Sequence, residues 1–406
     1  MMRTGFVCLF LAAGRCLAFE DSVYLKSFDQ VWTTVRDQYP DKEMAGIDWE
    51  GSRQELRPQV AQAQSRAEAR SLLSKLLGRL PISHYAIIPE EAYTDFRNQA
   101  NGDSGMEIRL IDQETVVTSV NSGGPADLAG IRPGDVIQAI SGVSTTEVSR
   151  KAGSALDAYF RVYKHLRGPA GQKIPVTLGS GRTAEVMLAL PAGKPIRFGN
   201  LPPVDASLAT RRLEGPAGYV RPGIFFDPEN LARTLESSLN DCADCKGFVL
   251  DLRGNFGGMV FLASTVAGWF VAEPVSLGTY TTREMTLKLA VNPRVNAFRG
   301  PLAILIDELS MSTSEFLAGG LKDLGRARLF GVTSAGAAVP SQIQRLPSGD
   351  GFQYAFASYR SAGGEVLEGK GVAPHVVVRP TRAGLLAGHD EVLEAAQQWI
   401  LKEQKQ

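Results

Sequence analysis

The sequence predicts an α+β multi-domain protein, with a helical N-terminal region, a small β-rich module and an α/β core. Three observations carry this. Apolar residues recur at helical spacing between residues 22 and 80. Short strand-like runs alternate with turn signals over 102–191, and strand and helix patterns then alternate from 192 to 406.

The first eighteen residues, "MMRTGFVCLFLAAGRCLA", are set apart from the fold. Arg3 precedes an apolar run from Gly5 to Gly14, and a small residue follows at Ala18. This is the pattern of a secretory signal peptide, too short for a spanning helix. The reading is an exported protein, periplasmic or secreted, with no integral membrane segment in the mature chain.

Residues 19–101 form the helical region. In "SVYLKSFDQVWTTVRDQYP", Tyr24, Leu25, Phe28, Val31 and Trp32 share one helical face and Pro40 ends it. "AEARSLLSKLLGRL" repeats the pattern, and "ISHYAIIPEE" follows as a short strand carrying His84. In 102–191 the strand candidates are "GMEIRLI", "ETVVTSV", "DVIQAI" and "IPVTL". "GPADLAGIRPGD" is a short helix with Pro125 near its start and Gly130 at its end. In 192–406 the strand candidates are "GYVRPGIF", "KGFVLDLRG", "LAILID", "ARLFG" and "FQYAFASYR". The helix candidates there are "PENLARTLESSL", "FLASTVAGWFV", "TSEFLAGGLKDLG" and "EVLEAAQQWILK".

Composition limits function. The 406 residues are 44% hydrophobic and 21% charged with formal net charge zero. A general affinity for nucleic acid or anionic membrane therefore has no support. Cys8 and Cys16 belong to the leader, which leaves "CADC", Cys242 and Cys245. A pair at this spacing can be a local disulfide, two thiols or half a zinc site, and no second CxxC or His pair completes a metal set. A structural role is expected, and no cofactor.

Ser312 opens "STSEFLAGGLKDLG". Ser312-x-x-Glu315 ahead of Phe316 and Leu317 fits a capping box, with Ser312 at N-cap and Glu315 at N3. Helix capping alone explains the spacing. The same helix N-terminus also supplies oriented N–H groups and positive potential, which favour a developing oxyanion. Gly257 and Gly258, in "DLRGNFGG", permit close backbone approach.

Two sets of motifs carry a resemblance. "SGGPADLAGIRPGDVIQAISG" resembles the PDZ domains of bacterial proteases, which places a PDZ domain at 102–191. "DLRGNFGG", "SMSTSEFLAGGLKDLGRARLFG" and "GEVLEGKGVAPHVVV", in that order behind a PDZ domain, resemble the S41 serine peptidases of the carboxy-terminal-processing, tail-specific type. The resemblance implies a ClpP/crotonase-like α/β core at 192–406 and hydrolysis of protein or peptide substrates. It implies that Ser312, the middle serine of an S-x-S-x-S cluster, is the nucleophile, and that the N–H groups of Gly258 and Thr313 form the oxyanion hole. Ser104, Gly105, Met106 and Glu107 would form the loop that catches a substrate's terminal carboxylate.

One position departs from the pattern. Tail-specific members carry a catalytic lysine in a "TFGKG"-like segment, where this chain reads "GVTSAGAAV" with Ala337 at the lysine's place. Either the chain is an inactive S41-like binding or regulatory protein, or another base serves. "LPISHYAIIP" is similar to the His-bearing segment of the tricorn-type branch of S41, and "VLEGKGV" offers the supporting glutamate. The resemblance thus implies His84 as general base and Glu368 as its orienting carboxylate. His375, close in sequence to Glu368, is a minor candidate; His165 and His389 read as surface residues. A small-ligand binder built on the same core is the remaining alternative.

Overall fold

The structure is a computed structural model that describes residues 23–94, 102–191, 195–214 and 217–403. The expected signal peptide, 1–18, lies outside the described residues.

Helix α1 (Val23–Gln38) buries Leu25, Phe28, Val31, Trp32 and Val35 along one face. Helix α2 (Trp49–Ala61) was not legible, because Pro58 interrupts it and its apolar residues are few. It forms behind Asp48, whose carboxylate accepts the Gly51 N–H at 2.7 Å. Helix α3 (Arg66–Leu77) starts at Ser65, whose hydroxyl accepts the Glu68 N–H. Strand β1 (Ala86–Ile88) follows directly on the His84 segment.

In the β-rich module, β2 (Met106–Ile111) and β3 (Glu114–Val120) form an antiparallel pair. The short helix Pro125–Leu128 appears as expected. Helix α4 (Ala155–Tyr163) begins at the N-cap Ser154 and packs on β2. A four-stranded sheet of Val143–Ser144, Ile137–Ile140, Lys173–Leu178 and Thr183–Met187 closes the module. Its core includes Ile108, Val117, Ile137, Val162 and Val176.

The third unit runs β4 (Leu208–Leu213), β5 (Ala217–Pro222), α5 (Pro228–Asn240), β6 (Gly247–Asp251), α6 (Phe261–Ala267), β7 (Val275–Thr281), β8 (Thr286–Val291) and β9 (Leu302–Ile306). It continues through α7 (Thr313–Asp323), β10 (Arg328–Gly331), β11 (Ser341–Arg345), β12 (Gly351–Ala355), β13 (Ser358–Ser361), β14 (Val376–Val377) and α8 (Glu391–Glu403). The main sheet has the order β4-β5-β6-β9-β10-β14 and is parallel except for edge strand β4. Alternate residues serve two cores, as the period of a strand requires. Leu302, Ile304 and Ile306 face α5, α6 and α7, while Ala303 and Leu305 face Val392, Ala396 and Ile400 of α8.

"FQYAFASYR", expected as one strand, is two. β12 joins a sheet of order β1-β12-β11, and β13 joins one of order β8-β7-β13. The β11–β12 ladder ends with the Phe356 N–H on the Pro340 carbonyl at 3.1 Å, and the chain changes sheets between Phe356 and Ser358. An apolar run carries no mark of where its neighbours change. The helical region is also not freestanding: α1–α3 share a core with Leu346, Phe352 and Tyr354 of the β11–β12 hairpin.

Strands β6 and β9 are neighbours, and their C-terminal ends lead into the loops 252–260 and 307–312. In open α/β sheets this is where sites are built.

Candidate active site

Ser312 is the N-cap of α7 and is largely buried, with φ 55° and ψ −118°. A serine at positive φ on a strand-to-helix turn is strained, and the surroundings must hold it there. The flanking serines do so. Ser310 Oγ donates to the Leu252 carbonyl at 2.8 Å and Ser314 Oγ to the Asn255 carbonyl at 3.2 Å, which stitches the Ser312 loop to the neighbouring loop.

The expected capping relation is present through Glu315, whose carboxylate accepts the Ser312 N–H at 3.1 Å. Glu315 also accepts from Ser334 Oγ at 2.6 Å, Gly336 N–H at 2.8 Å and Ala337 N–H at 3.0 Å. Burial pushes its carboxyl up to about 7 against those donors. The segment 334–337, where the family lysine would stand, is thus locked to the start of α7. The Ala337 carbonyl in turn accepts the Ser312 N–H at 2.9 Å.

From Ala337 the contacts lead to the histidine. The next residue, Ala338, donates its N–H to Glu368 Oε2 at 2.7 Å. Glu368 accepts the Ser83 N–H at 2.6 Å and the Ser83 hydroxyl at 3.1 Å, and Ser83 Oγ lies 2.7 Å from His84 Nδ1. A carboxylate only accepts, so the Ser83 proton goes to Glu368 and the Ser83 oxygen accepts from His84 Nδ1–H. That tautomer leaves His84 Nε2 as the proton acceptor. His84 also sits at positive φ, 66°, and burial lowers its pKa to about 4. Glu368 therefore reaches His84 through an intervening hydroxyl, that of Ser83. Ser83 is the residue that sequence reasoning missed: only its adjacency to His84 hinted at a role, and Glu368 lies 285 positions away.

Gly257 lies against the serine and Gly258 against Phe225, with φ of 88° and 143°. A Cβ on Gly257 would stand 2.8 Å from Ser312 Cβ and 2.9 Å from Thr313 N, and one on Gly258 would stand 2.2 Å from the Phe225 carbonyl. The Gly257 carbonyl accepts the Phe225 N–H at 2.8 Å, so across the trans peptide the Gly258 N–H points away from Phe225. Thr313 Oγ1 donates to the Gly258 carbonyl at 2.9 Å and fixes the second peptide plane. Among the described residues, neither the Gly258 N–H nor the Thr313 N–H has a hydrogen-bond acceptor.

The other candidates lie elsewhere. His375 Nδ1 accepts the Leu329 N–H at 3.0 Å beside β10, a structural role, and exposed His389 pairs with Glu394. His165 lies in the turn after α4. Cys242 and Cys245 are joined as a disulfide at the end of α5. Of the expected carboxylate loop, Ser104 and Met106 are buried, and the Gly105 N–H is taken by Asp103 Oδ1 at 2.6 Å. Glu107 pairs with Arg221 on β5 at 2.7 Å.

The module bearing that loop also grips the site. Arg109 on β2 is buried and pairs with Asp307 at 2.6 Å, and this ion pair holds its guanidinium charged although burial opposes it. Asp307 also accepts the Gly254 N–H at 2.9 Å and the Leu309 N–H at 3.1 Å, so one carboxylate ties both site loops to the module. Phe256, next to Gly257, packs on Tyr159 and Phe160 of α4, with ring centroids 5.8 and 5.3 Å apart. Below, Asp251 is buried, yet Arg253 and the Tyr219 hydroxyl hold it at about 2.

Comparison with known proteins matches this layout part by part. Residues 217–378 match peptidase family S41, residues 24–78 the tricorn protease C1 domain and residues 116–158 a PDZ domain. The carboxyl-terminal-processing protease of Picosynechococcus sp. is 28% identical over 386 residues, covering 92% of this chain and 87% of that protein. The chloroplastic carboxyl-terminal-processing peptidase 3 of Arabidopsis thaliana is 26% identical, covering 88% and 70%. Among solved structures, the photosystem II D1 C-terminal processing protease superposes with a TM-score of 0.61 at 23% identity, covering 93% and 97%. Mature CPAF superposes at 0.65 with 15% identity, covering 94% and 98%.

Domain set and fold together define a PDZ-bearing serine peptidase. Its residues 217–378 are a peptidase family S41 domain. Ser312, Thr313, Gly258 and Glu368 fall inside the S41 match, while Ser83 and His84 lie just beyond the tricorn C1 match.

Proposed function

We propose that the chain is an exported serine endopeptidase in which Ser312 is the nucleophile and His84 the general base. The observation that carries this is the unbroken chain of contacts from Ser312 through Ala337–Ala338, Glu368 and Ser83 to His84. It supplies a base where the family lysine is absent, which favours activity over an inactive binding protein.

His84 Nε2 takes the Ser312 Oγ proton as the oxygen attacks the scissile carbonyl. The tetrahedral oxyanion is held by the Gly258 and Thr313 N–H groups at the N-terminus of α7. Glu368, acting through Ser83, stabilises the imidazolium that forms. His84 then gives the proton to the leaving amine, and a water that it deprotonates hydrolyses the ester on Ser312. Every step uses the chain's own groups.

For the PDZ domain, gating is better supported than simple tail capture. A carboxylate entering at Gly105 would meet Asp103, whereas Arg109 already ties the domain to the Ser312 loop. The substrate is a protein or peptide, engaged through its C-terminus where the PDZ groove takes part.

The test is fluorophosphonate labelling together with peptide turnover. Wild-type chain should label at Ser312 and cleave; Ser312→Ala should do neither. His84→Ala should lose turnover about as fully as Ser312→Ala. A folded His84→Ala variant that cleaves at the wild-type rate refutes the assignment of the base.

A further inference from the structure

Helix α8 runs back along the main sheet, antiparallel to β6. Ile400, near the helix end, packs on Gly247 at the start of β6, and Asp390, just before the helix, meets Arg253 beyond the end of that strand. Between these points Val392 and Ala396 share a core with Val249 and Leu305. The helix is thus a rigid bracket whose N-terminus stands where β6 gives way to the loop 252–260.

Asp390 makes two kinds of contact there. It caps α8: its carboxylate accepts the Leu393 N–H at 3.1 Å and its carbonyl the Glu394 N–H at 2.8 Å. It also takes both terminal nitrogens of Arg253, each at 2.8 Å. Asp251 holds the rest of that guanidinium, through Nε at 2.9 Å and the shared Nη2 at 2.6 Å. Among the described residues, Arg253 Nη1 has no acceptor but Asp390. Capping needs one oxygen on one N–H; the forked contact with Arg253 goes beyond it.

Arg253 opens the loop that carries the oxyanion donor, and that loop has little slack. The Arg253 N–H goes to Asp251 Oδ1 at 3.0 Å and the Gly254 N–H to Asp307 at 2.9 Å. Asn255 accepts the Gly257 N–H at 2.8 Å and donates to the Pro222 carbonyl at 2.7 Å. A displacement at Arg253 is therefore passed on toward Gly257 and Gly258.

We propose that Asp390 is a positioning residue for the reaction: through Arg253 it sets where the Gly258 N–H meets the oxyanion. It does so from beyond the S41 match, which ends at residue 378. The proposal rests on the peptidase reading above. The Gly258 N–H meets full negative charge only in the transition state, so misplacing it lowers kcat and leaves KM alone.

Two variants of the full chain separate the cap from the clamp. Asp390→Ser keeps a good cap but is too short to hold Arg253. Its melting temperature should stay near that of wild type while kcat for a peptide falls about tenfold at unchanged KM. Fluorophosphonate labelling of Ser312 should slow by a similar factor. Asp390→Glu keeps the carboxylate and gives up the favourable cap, so it should melt lower yet hold kcat within about threefold of wild type. Three results overturn the role while labelling of wild-type chain still upholds the peptidase: wild-type kcat in the serine variant, a raised KM in place of a lowered kcat, or a glutamate variant as slow as the serine one. Wild-type chain that neither labels nor cleaves overturns the peptidase reading itself, and this role with it.

Discussion

Ser83 and Glu368 are joined twice, by the Ser83 N–H at 2.6 Å and by its hydroxyl at 3.1 Å. The first bond positions the carboxylate, and the second fixes the proton arrangement on His84. Ser83→Ala keeps the first and removes the second. It should therefore cost about 1 kcal/mol or less in stability, while kcat falls about a hundredfold because the reactive tautomer is no longer enforced. Glu368→Gln should retain weak, measurable turnover. Thermal melts and single-turnover rates check both.

The His84 environment sets the acid limb. Its pKa is lowered by burial from the ordinary 6.5 to about 4, so the neutral, proton-accepting form persists well below pH 6. The kcat/KM limb of the free enzyme should fall as pH drops through about 4 to 5, where an exposed imidazole would already fail near 6.5. The same shift has a stability consequence. Between about 4 and 6.5 the unfolded chain binds the extra proton, so this group's contribution is complete above 6.5 and is lost as pH falls toward 4. A limb at 6 to 7 in a folded enzyme would show that His84 is solvated in the working state.

Much of this site was readable in one dimension because its parts are local. Ser312 to Glu315 is a contiguous cap, and Gly257–Gly258 is a contiguous turn. The helices α1, α3, α5, α7 and α8 announced themselves by apolar spacing. Ser83 did not, because its role depends on Glu368, which approaches only when the β11–β12 hairpin and β1 share a sheet. Strands β7, β8 and β11 were missed for a related reason. A segment such as Ser341–Arg345 has one polar-rich edge and no strict alternation, so pairing rather than pattern makes it a strand. The Arg109–Asp307 pair joins residues 198 positions apart and left no local trace.

Gly257 is held in place by crowding. A methyl group there would meet the Met311 carbonyl and Ser312 Cβ, each at 2.8 Å, and the φ of 88° disfavours any side chain. Gly257→Ala should destabilise the chain by about 1–3 kcal/mol and abolish labelling of Ser312, since the displaced atoms include those of Ser312 itself. Retained labelling in a folded variant would show that the loop can shift without harm.

The disulfide closes a very short loop, so its effect on the unfolded chain is small, about 2 kcal/mol. Cys242 and Cys245 are buried at the end of α5 and touch neither Ser312 nor His84. Changing both to serine should lower the melting temperature and leave kcat/KM unchanged at temperatures where the variant is folded. Loss of turnover in the folded variant would assign the pair a redox role.

The coupling between PDZ domain and site is most open to test at Arg109. Its guanidinium leaves Asp307 with a buried countercharge, while Asp307 holds Gly254 in one site loop and Leu309 in the other. Removing one partner of such a pair strands the other charge and costs about 3–5 kcal/mol. Asp307 keeps the Gly254 and Leu309 N–H donors, however, so Arg109→Ala should fall at the lower end of that range and stay folded. Its larger effect should be on kcat, because the loops before Ser312 and Gly257 lose their common anchor. Free and C-terminally amidated peptides separate the two roles of the domain. If the domain gates through Arg109, amidation should change the rate in wild-type chain and have no further effect in the variant. If it only recruits tails, amidation should raise KM equally in both. A variant with unchanged kcat and an unchanged response to amidation would show that Arg109 is structural and that the PDZ domain does not communicate with Ser312 through Asp307.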